Sequence, residues 1–89
     1  MIRILAHQPH PQKVVLSLAG DLSGEAIHSL ATELARWQGK IEQVVVDLAH
    51  ITSIDNAGLQ QLQHSDPPLE LRRVPRYIWL MLQQQDSRQ

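Results

Sequence analysis

The chain has 89 residues, with eight lysines and arginines against nine aspartates and glutamates, five histidines and no cysteine. That length supports one domain, on the small side of what buries an adequate core. The missing cysteines exclude disulfides, thiolate metal ligands and a catalytic thiol, and the balanced charge gives no field that selects nucleic acid or an anionic membrane.

Residues 2–6 (IRILA) form a short apolar-rich segment, broken by the turn-prone HQPHPQ. That early break does not fit a signal peptide. Residues 13–18 (KVVLSL) are β-branched and apolar, as a strand requires, and Gly20 and Asp21 punctuate its end. The two segments predict an antiparallel hairpin with a long, loose loop. A helix follows. Ser23 is placed to cap it, Glu25 sits in its first turn, and Ile27, Leu30, Ala31, Leu34 and Trp37 recur at helical spacing. Gly39 is placed to stop it in a left-handed conformation.

Residues 44–48 (VVVDL) are too apolar for a strand with one wet face, so a central strand covered on both sides is expected. A right-handed crossover then links it to the preceding strand. After a short connector comes a second helix, from about residue 56 to 64, ended by Asp66-Pro67-Pro68. Residues 69–74 (LELRRV) predict the fourth strand, and Pro75 suits the first turn of a last helix reaching about residue 84. Residues 85–89 read as a fraying tail. The predicted architecture is an α/β domain over residues 1–89: a four-stranded mixed sheet with about three helices. The second crossover, residues 55–68, is near the lower length limit for such a connection.

The segments LSLAGDLSGEAIHSLATEL and VVVDLAHITSIDNAGLQQL carry a resemblance. They are similar to the STAS domain family of bacterial anti-sigma factor antagonists. In that family a strand ends in Gly-acidic-Leu before the first helix, as at Gly20-Asp21-Leu22. A later strand ends in Asp-Leu, as at Asp47-Leu48, and a second acidic residue precedes Gly-Leu, as Asp55 precedes Gly58-Leu59. The resemblance is good over residues 13–62 and keeps the strand-then-helix order beyond. It implies a non-enzymatic regulatory domain that binds a protein partner through the helix start at residues 55–62, with Asp55, Asn56, Ala57, Gly58 and Leu59 in the docking surface. An anti-sigma factor or related kinase-like regulator is the implied partner. The alternative is a cytoplasmic STAS subunit docked on the ATPase of an ABC transporter of the phospholipid-transporting Mla type.

Two departures matter. In phosphorylation-switched members a serine stands where this chain has Asn56, and a carboxamide has no hydroxyl to phosphorylate. Asn56 therefore resembles the unmodified, binding-competent state, and a permanently receptive domain is expected. The C-terminal part is also shorter, without the extra strand or helix of many members.

Plainer readings stand beside these. Asp55 and Asn56 are both favoured helix caps whatever else they do. Gly58 serves either close partner approach or tight helix–strand packing, with packing favoured. The histidines (His7, His10, His28, His50 and His64) have no His-x-x-x-His pair, so no metal or cofactor is expected; His50 alone lies near the docking surface. Asp47 and Asp55 near one strand end make a carboxylate pair conceivable. Without a phosphate loop or second catalytic group, however, an enzyme is not the reading. The run from Tyr77 to Leu82 wraps more than one helix face, so Tyr77 and Trp79 are candidates for a partner or self-association contact. The alternative is simple exposure of some apolar area. Arg72, Arg73 and Arg76 are expected to be solvated. With no span long enough for a bilayer, a cytoplasmic location without membrane insertion is expected.

Overall fold

In a computed structural model that describes residues 2–65 and 68–86, the chain alternates strand and helix. The elements are β1 (Ile2–His10), β2 (Lys13–Leu22), α1 (Glu25–Trp37), β3 (Gln43–Ile54), α2 (Asn56–Gln63), β4 (Glu70–Arg72) and α3 (Arg76–Asp86). The sheet order is β1-β2-β3-β4, with β1 antiparallel to β2 and the other two pairs parallel. This is the predicted mixed sheet with three helices. The Asp66-Pro67 helix stop and residues 87–89 of the expected tail lie outside the described residues, whereas residues 85 and 86, expected to fray, continue α3.

The helices cover one face of the sheet. Val14, Leu16 and Leu18 of β2 and Val44, Val46 and Leu48 of β3 share a core with Leu30 of α1, Leu59 and Leu62 of α2, and Ile78 of α3. The expectation of cover on both sides is corrected. Val45 is fully buried, yet it stands outside that core. It lies on the other face, in register between Val15 and Glu70.

Three predicted boundaries move outward for one reason, which is continued pairing. β2 runs on through Gly20 and Asp21 to Leu22, and β3 runs past Leu48 to Ile54, so the expected connector is strand. The pairing passes from Ser17↔Asp47 to Ala19↔His50, then from Gly20↔Ile51 to Asp21↔Ser53. At each step β3 inserts one extra residue, and such bulges bend a strand while keeping it in the sheet. Gly20, at φ 111°, supplies the backbone freedom that the irregularity needs. In the hairpin, β1 reaches His10 and only Pro11 and Gln12 precede β2, so the loop is short rather than loose. Pro9 fits inside β1 because an edge strand tolerates a missing donor.

α1 starts one residue later than predicted. Gly24 occupies the cap position with no side-chain cap, and the Ser23 hydroxyl is engaged by Asp21 instead. The helix does end before Gly39, which adopts φ 80°. β4 is only three residues long, against six predicted. Arg73, next in the chain, takes φ 52° and leaves the extended geometry. In α3, Ile78 faces the core, while Tyr77, Trp79 and Leu80 are 41, 51 and 46% exposed. The apolar run does wrap past the buried face.

Candidate partner-docking surface

The rim at the end of β2 and β3 carries most of the residues singled out in the sequence. Asp55 leaves β3 in an extended conformation, and its backbone N–H donates to the Leu22 carbonyl at 3.4 Å. Its carboxylate oxygen Oδ1 accepts from the Gly58 N–H at 2.8 Å, which makes Asp55 the cap of α2. Asn56 is therefore the first helical residue, beside the cap rather than the cap itself. Asp55, Asn56 and Ala57 are exposed, whereas Gly58 and Leu59 are buried.

Gly58 is the anchor of this start. A Cβ built on it would stand 2.6 Å from the Leu22 carbonyl oxygen and 2.8 Å from Ile54 Cγ1. The helix thus approaches the ends of both strands at a distance only glycine permits, which is the packing reading of that residue. Leu59 points into the core behind it. Of the five residues expected in the docking surface, three face outward and two hold them in place. Removing the cap by Asp55→Ala should lower folding stability by about 1 kcal/mol, measured by urea denaturation.

Sequence reasoning did not find the polar pair beside this helix start. Ser53 Oγ donates to Asp21 Oδ1 at 2.6 Å, across strands paired at that register position. The Ser53 hydroxyl bond, with a second from Ser23, holds the Asp21 carboxyl below its ordinary value. Asp21 had a signal, the Gly-acidic-Leu motif. Ser53 had none, because only the bulged register brings it alongside.

Asp47 does not share this rim. It lies mid-strand, 6% exposed, and accepts from the Ala49 N–H at 3.0 Å. Its other oxygen accepts from Arg73 Nε at 2.9 Å and from Arg73 Nη2. The Arg73 guanidinium is the main cause that holds the Asp47 carboxyl below its usual range, against the opposing effect of burial. The conceivable pairing of Asp47 with Asp55 is therefore corrected, and so is the expectation that Arg73 is merely solvated. An ion pair with Arg73, the residue just after β4, has taken the carboxylate.

Tyr77 is partly structural. Its hydroxyl donates to the Ile51 carbonyl at 3.0 Å, tying α3 to β3, and burial raises its pKa. Trp79 keeps half of its surface in water. His50 is exposed on the helix-free side of the sheet, away from α2. Among the described residues no three His, Cys, Asp or Glu side chains gather as a metal site, and no helix is long and apolar enough to cross a membrane.

Residues 5–86 match the family described as "Mlab, STAS domain". The fold is similar to that of the anti-sigma factor antagonist SpoIIAA in its unphosphorylated form, with TM-score 0.74 and 16% identity over 91% of this chain and 82% of that one. The phosphorylated form of SpoIIAA, the Bacillus cell fate determinant, gives TM-score 0.73 and 13% identity, covering 93% of this chain and 83% of that one. An uncharacterised Shewanella loihica protein with a SpoIIAA-like fold gives TM-score 0.60 and 11% identity, over 97% and 77% of the two chains. No functionally curated protein matches the sequence. The chain belongs to the STAS domain family.

Proposed function

We propose that this STAS domain is a non-enzymatic, cytoplasmic docking module whose partner protein lands on the start of α2, at Asp55, Asn56 and Ala57. The observation that carries this reading is the build of that start. Three outward residues stand on a helix fixed from beneath by the Asp55–Gly58 cap and by the close Gly58–Leu22 approach. A docking face held this rigidly loses little entropy when a partner covers it. Asn56 presents a neutral carboxamide there, so phosphorylation at that residue does not switch it.

Of the two partner classes, the family description favours the ATPase of an Mla-type ABC transporter over an anti-sigma kinase. The likeness to SpoIIAA keeps the second class in the test. The purified domain is to be titrated, by calorimetry, with the transporter ATPase and with an anti-sigma kinase from its own genome. Binding to the ATPase is expected, and Asn56→Asp should weaken it about tenfold by placing a second carboxylate beside Asp55. Binding to the kinase alone would reverse the choice of partner. Unchanged affinity in Asn56→Asp would remove the docking face from α2.

A further inference from the structure

β1 is an edge strand, and no strand of the described residues pairs with its outer side. Native proteins blunt such edges, because an open row of N–H and C=O groups is a template for another chain. Here the blunting is confined to one end, where Pro9 and the register slip between His7 and His10 fall. From Ile2 to His7 the strand pairs regularly with β2, contains no proline, and carries a single arginine, Arg3.

The sheet face beside this stretch is open as well. Arg3, Leu5, Ser17, Leu18, Ala19 and His50 line a cleft of about 360 Å³ on the side away from the helices. The first bulge of β3, between Asp47 and His50, lies at this cleft and bends the strand there. Leu5 is 57% exposed, the most exposed large apolar side chain among the described residues. Arg3 makes no ion pair within the described residues. An unpaired cation and an exposed leucine thus stand two residues apart on one face of an open strand.

A strand added at this edge would place every second side chain over that face. We propose that residues 2–7 of β1 take an extended, acidic segment of a partner protein as a fifth strand, one carboxylate pairing with Arg3 and an aliphatic side chain two positions along covering Leu5. A second copy of this chain is the wrong occupant. β1 contains no acidic residue, so pairing two copies leaves Arg3 uncompensated among the imidazoles of His7 and His10. The site is built on a different element from α2 and goes beyond the docking function proposed above.

The test is a titration of the ¹⁵N-labelled full chain, followed by amide chemical shifts. The probe is a blocked heptapeptide of sequence threonine-glutamate-threonine-valine-threonine-glutamate-threonine, which offers the acidic–aliphatic spacing in either strand direction. Its counterpart has lysine for both glutamates. Saturable shifts confined to β1 and the cleft are expected, about tenfold tighter for the glutamate peptide. Arg3→Glu, at an exposed position, should reverse that preference, and Leu5→Ser should weaken both peptides. Asn56→Asp should leave this binding unchanged, which separates it from the α2 surface. An equal response to the two peptides, a preference unmoved by Arg3→Glu, or no shifts at millimolar peptide would overturn the proposal. So would sedimentation showing that the domain alone dimerises through β1.

Discussion

Gly58→Ala is expected to lower the folding stability of this domain by about 2 kcal/mol, read as a drop of about 1 to 2 M in the urea midpoint. Two effects oppose each other. Alanine is the better helix former, and inside α2 it gains about 1 kcal/mol over glycine. Against that, the new methyl would sit 2.6 Å from the Leu22 carbonyl oxygen and 2.8 Å from Ile54 Cγ1. The first of these is backbone in a paired strand and does not move cheaply, so α2 must shift outward. Overpacking of this kind costs about 1 to 3 kcal/mol, and here the upper end applies because the clash is with main chain. The shift also strains the Asp55–Gly58 cap, so partner binding should weaken with stability. A midpoint equal to or above that of the wild type would show that the helix start yields freely.

Removing either member of the Asp47–Arg73 pair should also destabilise the fold, but unequally. Arg73 has 63% of its side chain in water, and Asp47 only 7%. Asp47→Ala strands a guanidinium that water can solvate, and the loss is the charged hydrogen bonds plus the acceptor for Ala49 N–H, about 2 kcal/mol. Arg73→Ala strands a buried carboxylate instead, so it should lose more than Asp47→Ala does. The double variant should resemble Asp47→Ala alone. Denaturant midpoints at neutral pH check this order, and a larger loss for Asp47→Ala would contradict the stranded-charge argument.

The same pair sets an acid sensitivity. The folded Asp47 carboxyl titrates below its ordinary value of 3.8, so on acidification the unfolded chain takes up the proton first. The contribution is complete above about pH 5, shrinks as pH falls, and is gone below the folded pKa. The difference in stability between wild type and Asp47→Asn should accordingly narrow as the pH falls below about 5. A constant difference would mean that the charge on Asp47 contributes nothing.

The split between what was legible and what was not follows chemistry of different range. Periodicity and breakers are local, and they sufficed for the order of elements, the mixed sheet, the length of α2 and the turn of apolar residues around α3. The candidate docking rim was legible to the extent that Asp55 and Gly58 stand three residues apart. A cap and its amide always lie within one turn. Three misreadings share a cause. Gly20 and Asp21 look like punctuation, residues 49–54 look like a connector, and Ser23 looks like a cap when only neighbours in the chain are weighed. Across the sheet, β2 and β3 hold their pairing through two bulges, which draws all three into other roles.

By itself, the amino-acid sequence determined the class of fold, the identity of the helix start and the absence of a phosphorylatable hydroxyl at residue 56, since each depends on residue type and near spacing. Only the tertiary structure decided that the helices cover one face, that Gly58 and Leu59 point inward, and that Asp47 is claimed by Arg73, 26 residues away. Ser53 meets Asp21 across 32 residues in the same manner. Such contacts arise from strand register, and a one-residue slip turns every side chain to the opposite face. No local pattern encodes that choice; the packing of the whole sheet makes it.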